Sequence, residues 1–399
     1  MSPPPPPLAG VCIVEISSFV AVPLAGMTLA ALGAEVIRID PIGGAADYHR
    51  WPLADSGDSI YWAGLNKGKQ SMAVDMRSEQ GQHLVAKLIV DSGVLITNVA
   101  GRQWHSYDTL CAQRPDLIHL EVLGRGDGAT GVDYTVNAAT GFPMVTGPAG
   151  HTGPINHVMP VWDVSCGLYA ALSILTALRH RDATGAGSAI RLPLDDVALA
   201  TAANLGFLTE AMVTGTRRPR LGNAIYGQYG RDFTSSDGVS FMVVALTARH
   251  FRDLTDLTGT ATAVAATEEE LGADFTDEGQ RYQHRDVLDP LFAAWFRTQT
   301  AEQVTAALSA TSVLWERYRT FDEVIGTARV TDNPLFTALD QPGIGSYLAP
   351  GLPMSVDGAH TAAAVAPVLG EHTASVLAGR LGMSSGEIAA LIEEGVVAP

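Results

Sequence analysis

The chain has 399 residues, of which 47% are hydrophobic and 17% are charged, so it can form two or more domains around a large core. This composition excludes a disordered chain and a coiled coil. The 25 basic and 42 acidic residues give a net charge of −17, and an acidic surface repels phosphate backbones and anionic lipid. We therefore expect neither nucleic acid nor a membrane surface as a partner.

Cysteine usage and the N-terminal segment indicate a cytoplasmic protein. Cys12, Cys111 and Cys166 have neither the number of a disulfide framework nor the spacing of a metal site. Residues 1–7 contain five consecutive prolines and are typical of a polyproline II tail rather than a signal peptide. The longest apolar run, 164–178, falls short of the ~20 residues of a membrane span, so we expect a core helix there.

The first 125 residues alternate between two hydrophobic patterns, one β-branched and one helical. The predicted elements are a strand at 11–16, a helix at 23–32, strands at 35–39 and 71–75, a helix at 78–91, and strands at 94–98 and 117–122. This alternation predicts a parallel, Rossmann-like α/β sheet with helices on both faces. The turn at 17–23 lacks the Gly-x-Gly-x-x-Gly pattern, which disfavours NAD as a ligand.

The remainder of the chain predicts a second, smaller domain and a return to the first. The predicted elements are helices at 164–180 and 195–214, a strand at 189–192, a hairpin at 232–244, helices at 267–271, 285–298 and 301–308, and final helices at 371–381 and 385–394. We place the large domain at residues 1–225 and 325–399 and a small α+β domain at 226–324.

Asp163 is the candidate for chemistry, because it stands directly before the long apolar helix. A carboxylate there can cap free backbone N–H groups and be held ionised by the helix dipole. From the residues alone, a plain helix cap and a reactive carboxylate both remain open.

Five short segments carry a resemblance to a known family. They are LAGV at 8–11, LGAEVIRIDP at 32–41, NKGK at 66–69, DMR at 75–77 and LGEHT at 369–373. Together they resemble the class III CoA-transferases, also called the CaiB/BaiF family. The resemblance implies an interlocked homodimer, with a Rossmann-like large domain made from both ends of each chain.

The resemblance also implies a role for Asp163, since the family's nucleophilic aspartate occupies the matching position. A carboxylate that attacks a thioester in a dry pocket gives an acyl-aspartyl anhydride and then an aspartyl-CoA thioester. Such a reaction needs no metal and no cofactor beyond the CoA thioester substrate, which we expect to carry a small dicarboxylic acid.

Binding residues are assigned partly by this resemblance and partly by charge, because the phosphates of CoA require local cations in an acidic protein. Arg38, Met72 and Asn98 match family positions that contact CoA, and Lys67, Lys69, Arg77 and Arg102 are nearby positive charges. Tyr134 and Asn137 lie between two glycine-rich turns and are expected in the substrate pocket. Candidates for a tight aromatic wall are Trp51, Tyr61, Trp62, Phe142 and Trp162.

Within the family, segments 19–27, 40–51, 124–148, 156–163 and 341–348 are most similar to members that move CoA between the two carboxyl groups of mesaconate (2-methylfumarate). We therefore expect conversion of mesaconyl-1-CoA to mesaconyl-4-CoA. The alternatives are an intermolecular CoA-transferase, an α-methylacyl-CoA racemase and an inactive CoA-binding protein. Val132 stands near the position of the racemase histidine and cannot carry a proton.

Overall fold

The computed structural model describes residues 5–99 and 102–399, so the predicted polyproline tail lies partly outside them. The strands are β1 (Cys12–Ile16), β2 (Glu35–Asp40), β3 (Gln70–Val74), β4 (Val94–Thr97), β5 (Ile118–Leu123), β6 (Ser188–Pro193), β7 (Tyr229–Thr234), β8 (Ser240–Ala245), β9 (Leu314–Arg317), β10 (Phe336–Gln341), β11 (Gly345–Pro350), β12 (Ser355–Val356), β13 (Ala359–His360) and β14 (Val397–Ala398). The helices are α1 (Ala21–Ala31), α2 (Ile60–Leu65), α3 (Glu79–Ser92), α4 (Tyr107–Cys111), α5 (Asp133–Ala139), α6 (Phe142–Val145), α7 (Val161–Thr184), α8 (Leu194–Asn204), α9 (Phe207–Thr214), α10 (Ala248–Thr258), α11 (Ala261–Leu271), α12 (Glu278–Gln283), α13 (Arg285–Phe296), α14 (Ala301–Ser309), α15 (Phe321–Val324), α16 (Ala328–Thr331), α17 (Thr373–Leu381) and α18 (Ser385–Glu393).

The chain divides into two compact units. The first contains the described residues up to Thr140, His157–Glu210 and Thr327–Pro399, and the second contains Gly141–Asn156 and Ala211–Gly326. The sequence pattern predicted boundaries at residues 225 and 324, so the middle unit is larger than expected and includes an additional segment between α5 and α7.

A seven-stranded sheet forms the centre of the first unit, in the order β14-β3-β2-β1-β4-β5-β6. Its neighbouring strands are parallel, except that the edge strand β14 runs antiparallel to β3. Because helices cover both faces, the inner strands are buried on both sides and read as nearly continuous apolar runs. The predicted Rossmann-like α/β architecture is confirmed.

The C-terminal helices return to this sheet, as the sequence analysis expected. Leu377 of α17 and Leu391 of α18 belong to one hydrophobic core with Val14 of β1 and Leu88 of α3. Strand β14 then closes the sheet edge beside β3. Both ends of the chain therefore contribute to the unit that contains the first strands.

Helices α1 and α7 lie together over the other face of the sheet. Gly167 permits their close approach, because a Cβ atom there would lie 2.7 Å from the backbone oxygen of Ala21. Helix α7 is long and apolar enough to cross a membrane by length and composition alone. In this fold it buries Cys166, Ala170 and Ile174 and serves as the predicted core helix.

The single helix predicted for residues 195–214 is wrong, because the chain forms α8 and α9 with a bend of 60° between them. Gly206 adopts φ +83° at the bend, a left-handed conformation that favours glycine.

In the middle unit, β7 and β8 form the predicted hairpin, whose connection contains Gly238 with φ +83°. β9 pairs with β8 to complete a three-stranded sheet. The helices α10, α13 and α14 share a hydrophobic core with this sheet.

Candidate active site

A cavity of about 540 Å³ opens at the carboxyl edge of the central sheet, where the strand order reverses between β1 and β4. Ser18 and Asn98 line it directly after these two strands, and Gly124 follows β5. Ala21 and Asp163, at the N-terminal ends of α1 and α7, complete the wall. Open α/β sheets bind ligands at this kind of switch point.

Asp163 lies in the first turn of α7 and is half-buried in this cavity. Burial, and after it the neighbouring Asp133, raise the pKa of its carboxyl to about 7, although Arg50 acts in the opposite direction. From its place in the sequence, Asp163 was expected to cap the helix and to be held ionised by the helix dipole. The structure corrects both expectations: Asp133 caps the helix, and the pKa of Asp163 is raised by burial rather than lowered.

Asp133, the first residue of α5, is the residue that caps α7. Its Oδ2 accepts hydrogen bonds from the backbone N–H groups of Trp162 and Asp163, at 2.7 and 3.2 Å. One turn further along α5, Asn137 accepts the indole N–H of Trp162 at 3.1 Å. Sequence reasoning missed Asp133 because the helix that it caps begins 28 residues later in the chain.

Arg50 is the second residue that sequence reasoning missed. Its guanidinium lies over the rings of Phe19 and Tyr61, 5.3 and 5.0 Å from their centroids, and lines the same cavity as Asp163. Among the described residues, no carboxylate lies within salt-bridge distance of Arg50. The cavity thus contains an unpaired cation beside a candidate nucleophile.

Arg38, whose predicted contact with CoA stays a prediction, lies in a buried network of charges beneath the loop after β1. The network contains two cations and three carboxylates: Arg38, Lys69, Glu15, Asp40 and Asp47. Arg38 donates to Asp40 at 2.9 Å and to Asp47 at 3.1 Å, and its side chain is fully buried. Lys69 donates to Glu15 at 2.8 Å, and burial lowers the pKa of its ammonium to about 8.

This network holds the loop that lines the cavity. Arg38 donates to the backbone oxygen of Ser17 at 3.3 Å, and Asp47 accepts the backbone N–H of Phe19 at 3.1 Å. Phe19 has φ +67°, a conformation that a bulky residue rarely adopts without support from its surroundings. Asn98 fixes the same loop from β4, since it exchanges two hydrogen bonds with the backbone of Ser18.

The residues that were predicted to bind CoA lie in different places in the structure. Met72 is fully buried in the core of the sheet, which the sequence could not distinguish from a position at the end of a strand. Lys67 donates to the backbone oxygen of Gly64 and lines a different, apolar groove. Of the predicted set, Asn98 lines the cavity of Asp163, and Arg102 lines a second cavity next to it.

The second cavity has a volume of about 720 Å³ and continues along the same edge of the sheet. Ile16, the last residue of β1, and Val99 line it, and they lie close in sequence to Ser18 and Asn98 of the first cavity. Arg102 and Arg77, the latter paired with Asp75, are the arginines that line it, and Trp104 gives it an aromatic surface. Its size, charge and position suit the nucleotide part of a long anionic ligand.

Only some of the residues predicted for the substrate pocket line the cavity of Asp163. Tyr134 and Trp51 line the cavity, and Trp51 is 78% exposed. Asn137 is fully buried and holds Trp162, so it supports the site from behind rather than lining it. Among the other aromatic candidates, Tyr61 lines the cavity, Trp62 and Trp162 are buried, and Phe142 lies in the middle unit.

We predict that Arg38→Met lowers the free energy of unfolding by about 3–5 kcal/mol, because it leaves buried carboxylates without their cation. Arg77→Met is the matched control, since the side chain of Arg77 is 95% exposed and solvent screens its pair with Asp75. Chemical denaturation of the two variants measures the difference. Equal unfolding midpoints of the two variants would show that the ion pairs of Arg38 do not stabilise the fold.

Comparison with known proteins gives a consistent assignment. The chain matches the family model for CoA-transferase family III over residues 8–373. It is 45% identical to 2-methylfumaryl-CoA isomerase of Chloroflexus aurantiacus, with 98% of each chain covered. It is 26% identical to succinyl-CoA–D-citramalate CoA-transferase of the same organism, with 99% of each chain covered.

Among solved structures, a CaiB/BaiF family protein from Brucella suis superposes with a TM-score of 0.78 at 25% identity, covering 94% of this chain and 100% of that chain. The fold, the family model and the full-length relatives agree, and the chain belongs to the CoA-transferase family III.

Proposed function

We propose that the protein transfers CoA between carboxylates through a covalent intermediate on Asp163, and that its substrate is 2-methylfumaryl-CoA (mesaconyl-1-CoA). The product is 3-methylfumaryl-CoA (mesaconyl-4-CoA), formed by intramolecular transfer. The observation that supports this most directly is the 45% identity, over 98% of both chains, to a 2-methylfumaryl-CoA isomerase. The half-buried carboxylate of Asp163 at the switch point supplies the nucleophile.

The chemical steps follow from carboxylate and thioester reactivity. An oxygen of Asp163 attacks the thioester carbonyl carbon, the C–S bond breaks, and the electron pair leaves with the CoA thiolate. The thiolate then attacks the Asp163 carbonyl of the anhydride, which releases the substrate acid as a carboxylate. Attack by the other carboxylate of the same acid reverses the sequence, so no metal or redox cofactor takes part.

Two cavities lined by neighbouring residues at the ends of β1 and β4 suit this substrate. The nucleotide of CoA would occupy the larger one, where Arg77 and Arg102 neutralise phosphate charge. The acyl group would reach the smaller one, which contains Asp163. The roles of Arg38, Met72, Lys67 and Lys69 as direct CoA contacts remain predictions, and in this structure these four residues serve other contacts.

Arg50 suits the second carboxylate of a dicarboxylic acid. Its guanidinium is held over two rings and has no carboxylate partner among the residues that the structure describes. A carboxylate bound by Arg50 would lie in the cavity of Asp163, ready to attack once CoA is on the enzyme. Retention of the acid in this place replaces a bimolecular step by a unimolecular one.

An intermolecular transferase is the second candidate, because the 26% identical citramalate relative covers the chain equally well. Racemization is disfavoured, because Val132 lines the cavity near the position where a proton-transferring histidine would be needed. An inactive CoA-binding protein would have no need of a carboxylate whose pKa is raised in a ligand-sized cavity.

We also propose that the active form is a cytoplasmic homodimer. Helix α7 exposes more than half of the surface of Leu168, Tyr169 and Leu172, and a second copy of the chain would cover these apolar side chains. The three cysteines are free thiols in the described fold, which fits a reducing compartment.

Replacement of the nucleophile gives the first test of this function. We expect Asp163→Asn to fold normally and to lose several orders of magnitude of turnover with 2-methylfumaryl-CoA, because an amide does not attack the thioester. Hydroxylamine added during turnover should convert Asp163 of the wild type to the hydroxamate, detected by peptide mass spectrometry. Asp182→Asn, at the exposed end of the same helix, is the control. Near-normal turnover of Asp163→Asn would refute the assignment.

Substitution of Arg50 tests the substrate class. We expect Arg50→Gln to raise the KM for 2-methylfumaryl-CoA by about 10- to 100-fold, because a charge-assisted hydrogen bond is lost. Arg50→Lys keeps the charge and should have a smaller effect. Butyryl-CoA, which has no free carboxylate, should inhibit both variants as well as it inhibits the wild type. Assays at pH 8.5, above the pKa of about 7, reduce the influence of Asp163 ionisation on the comparison. An equal loss of affinity for both thioesters would mean that Arg50 does not bind the carboxylate.

A further inference from the structure

Asp133 holds the first turn of α7 in a way that capping alone does not require. Its carboxylate is 2% exposed, and one oxygen, Oδ2, accepts both N–H groups of the helix start. The other oxygen, Oδ1, is buried and has no hydrogen-bond partner within the described part of the chain. Asparagine or serine caps a helix as well as aspartate does, and neither buries an unsatisfied charge.

The position of that charge suggests its use. The N–H groups that Asp133 binds belong to Trp162 and to Asp163 itself. The carboxylate of Asp133, from α5, therefore lies against the same turn of α7 that carries Asp163. The charge of Asp133 acts on Asp163, and two neighbouring carboxylates repel each other when both are ionised. The repulsion disappears when one of them becomes uncharged.

We propose that Asp133 is a positioning residue that destabilises the free carboxylate of Asp163 and thereby favours its covalent, uncharged forms. This inference rests on the proposed function. In the anhydride and in the aspartyl-CoA thioester, the Asp163 carboxyl is an acyl group and carries no charge. The negative charge moves to the CoA thiolate in the first step and to the carboxylate of the released acid in the second. Arg50, in the same cavity, faces that released charge.

The charge on Asp163 depends on groups from several elements. Asp133 faces it from α5, Arg50 from the segment before α2, Tyr61 from α2, and Cys166 from the next turn of α7. Burial raises the pKa of Tyr61 and of Cys166 to about 12, so both are neutral at working pH. Asp133 and Arg50 are therefore the two charges that act on Asp163, and they act in opposite directions.

The sign of the expected effect follows from the mechanism. Asp163 must be ionised to attack, so activity falls as the pH drops through its pKa. Removal of the Asp133 charge lowers the pKa of Asp163, and the acid limb of the pH profile moves to lower pH. A displacement of one pH unit corresponds to a tenfold change in the balance between charged and uncharged Asp163. The ratio of enzyme–CoA adduct to free enzyme should therefore fall by about the same factor.

The experiment compares the wild type with Asp133→Asn, which keeps the capping oxygen and removes the charge. The pH profile of kcat/KM is measured with 2-methylfumaryl-CoA, and the covalent enzyme–CoA adduct is measured by intact-protein mass spectrometry after acid quenching. We expect the acid limb to move down by about one pH unit and the adduct ratio to fall about tenfold. Asp133→Ser, a second uncharged capping residue, provides the same comparison if the asparagine variant does not fold.

Asp277→Asn is the matched control, because Asp277 caps α12 in the middle unit by accepting the N–H of Gln280 at 2.8 Å. It should leave both measurements unchanged. An unchanged acid limb and adduct ratio in Asp133→Asn would reduce Asp133 to a plain cap and overturn this inference. Absence of any adduct in the wild type would instead overturn the proposed function, so the two failures are distinguishable.

Discussion

The close approach of α1 and α7 is the constraint on which the candidate site depends. Gly167 allows the backbone of α7 to approach Ala21, and Asp163 lies one turn before that contact. Since Ala21 follows the loop after β1, this packing fixes the distance between the nucleophile and the opposite wall of the cavity. Displacement of a reacting group by about 1 Å can cost 100-fold in rate, so a bulkier residue at position 167 would affect chemistry as well as stability.

Charge is distributed around this contact in two layers. In the inner layer, the cations Arg38 and Lys69 neutralise carboxylates beneath the sheet edge and hold the loop that carries Phe19. In the outer layer, Arg50 and Arg102 face the cavities and are available to an anionic substrate. A protein with a net charge of −17 can thus bind a polyanion, because three of its cations, Arg50, Arg77 and Arg102, line the cavities at the edge of the sheet.

The sheet and the helix that carries Asp163 could be predicted from the sequence, because apolar periodicity is a local signal. The surroundings of Asp163 and Arg38 could not, because they depend on residues far along the chain. Asp133 caps a helix that begins 28 residues later, and Arg38 pairs with Glu15 on the neighbouring strand, whose register local patterns do not give. The bend at Gly206 was missed because a lone glycine inside a helical pattern is often tolerated.

Isotope exchange tests the central claim, intramolecular transfer, most directly. Unlabelled 2-methylfumaryl-CoA is incubated with the enzyme and an excess of free ¹³C-labelled mesaconate, and the thioesters are analysed by mass spectrometry. If the acid stays in the cavity while CoA is on Asp163, 3-methylfumaryl-CoA forms without an added acid and carries little label. Rapid entry of label, or strict dependence on a second acid such as succinate, would contradict this account and identify an intermolecular transferase.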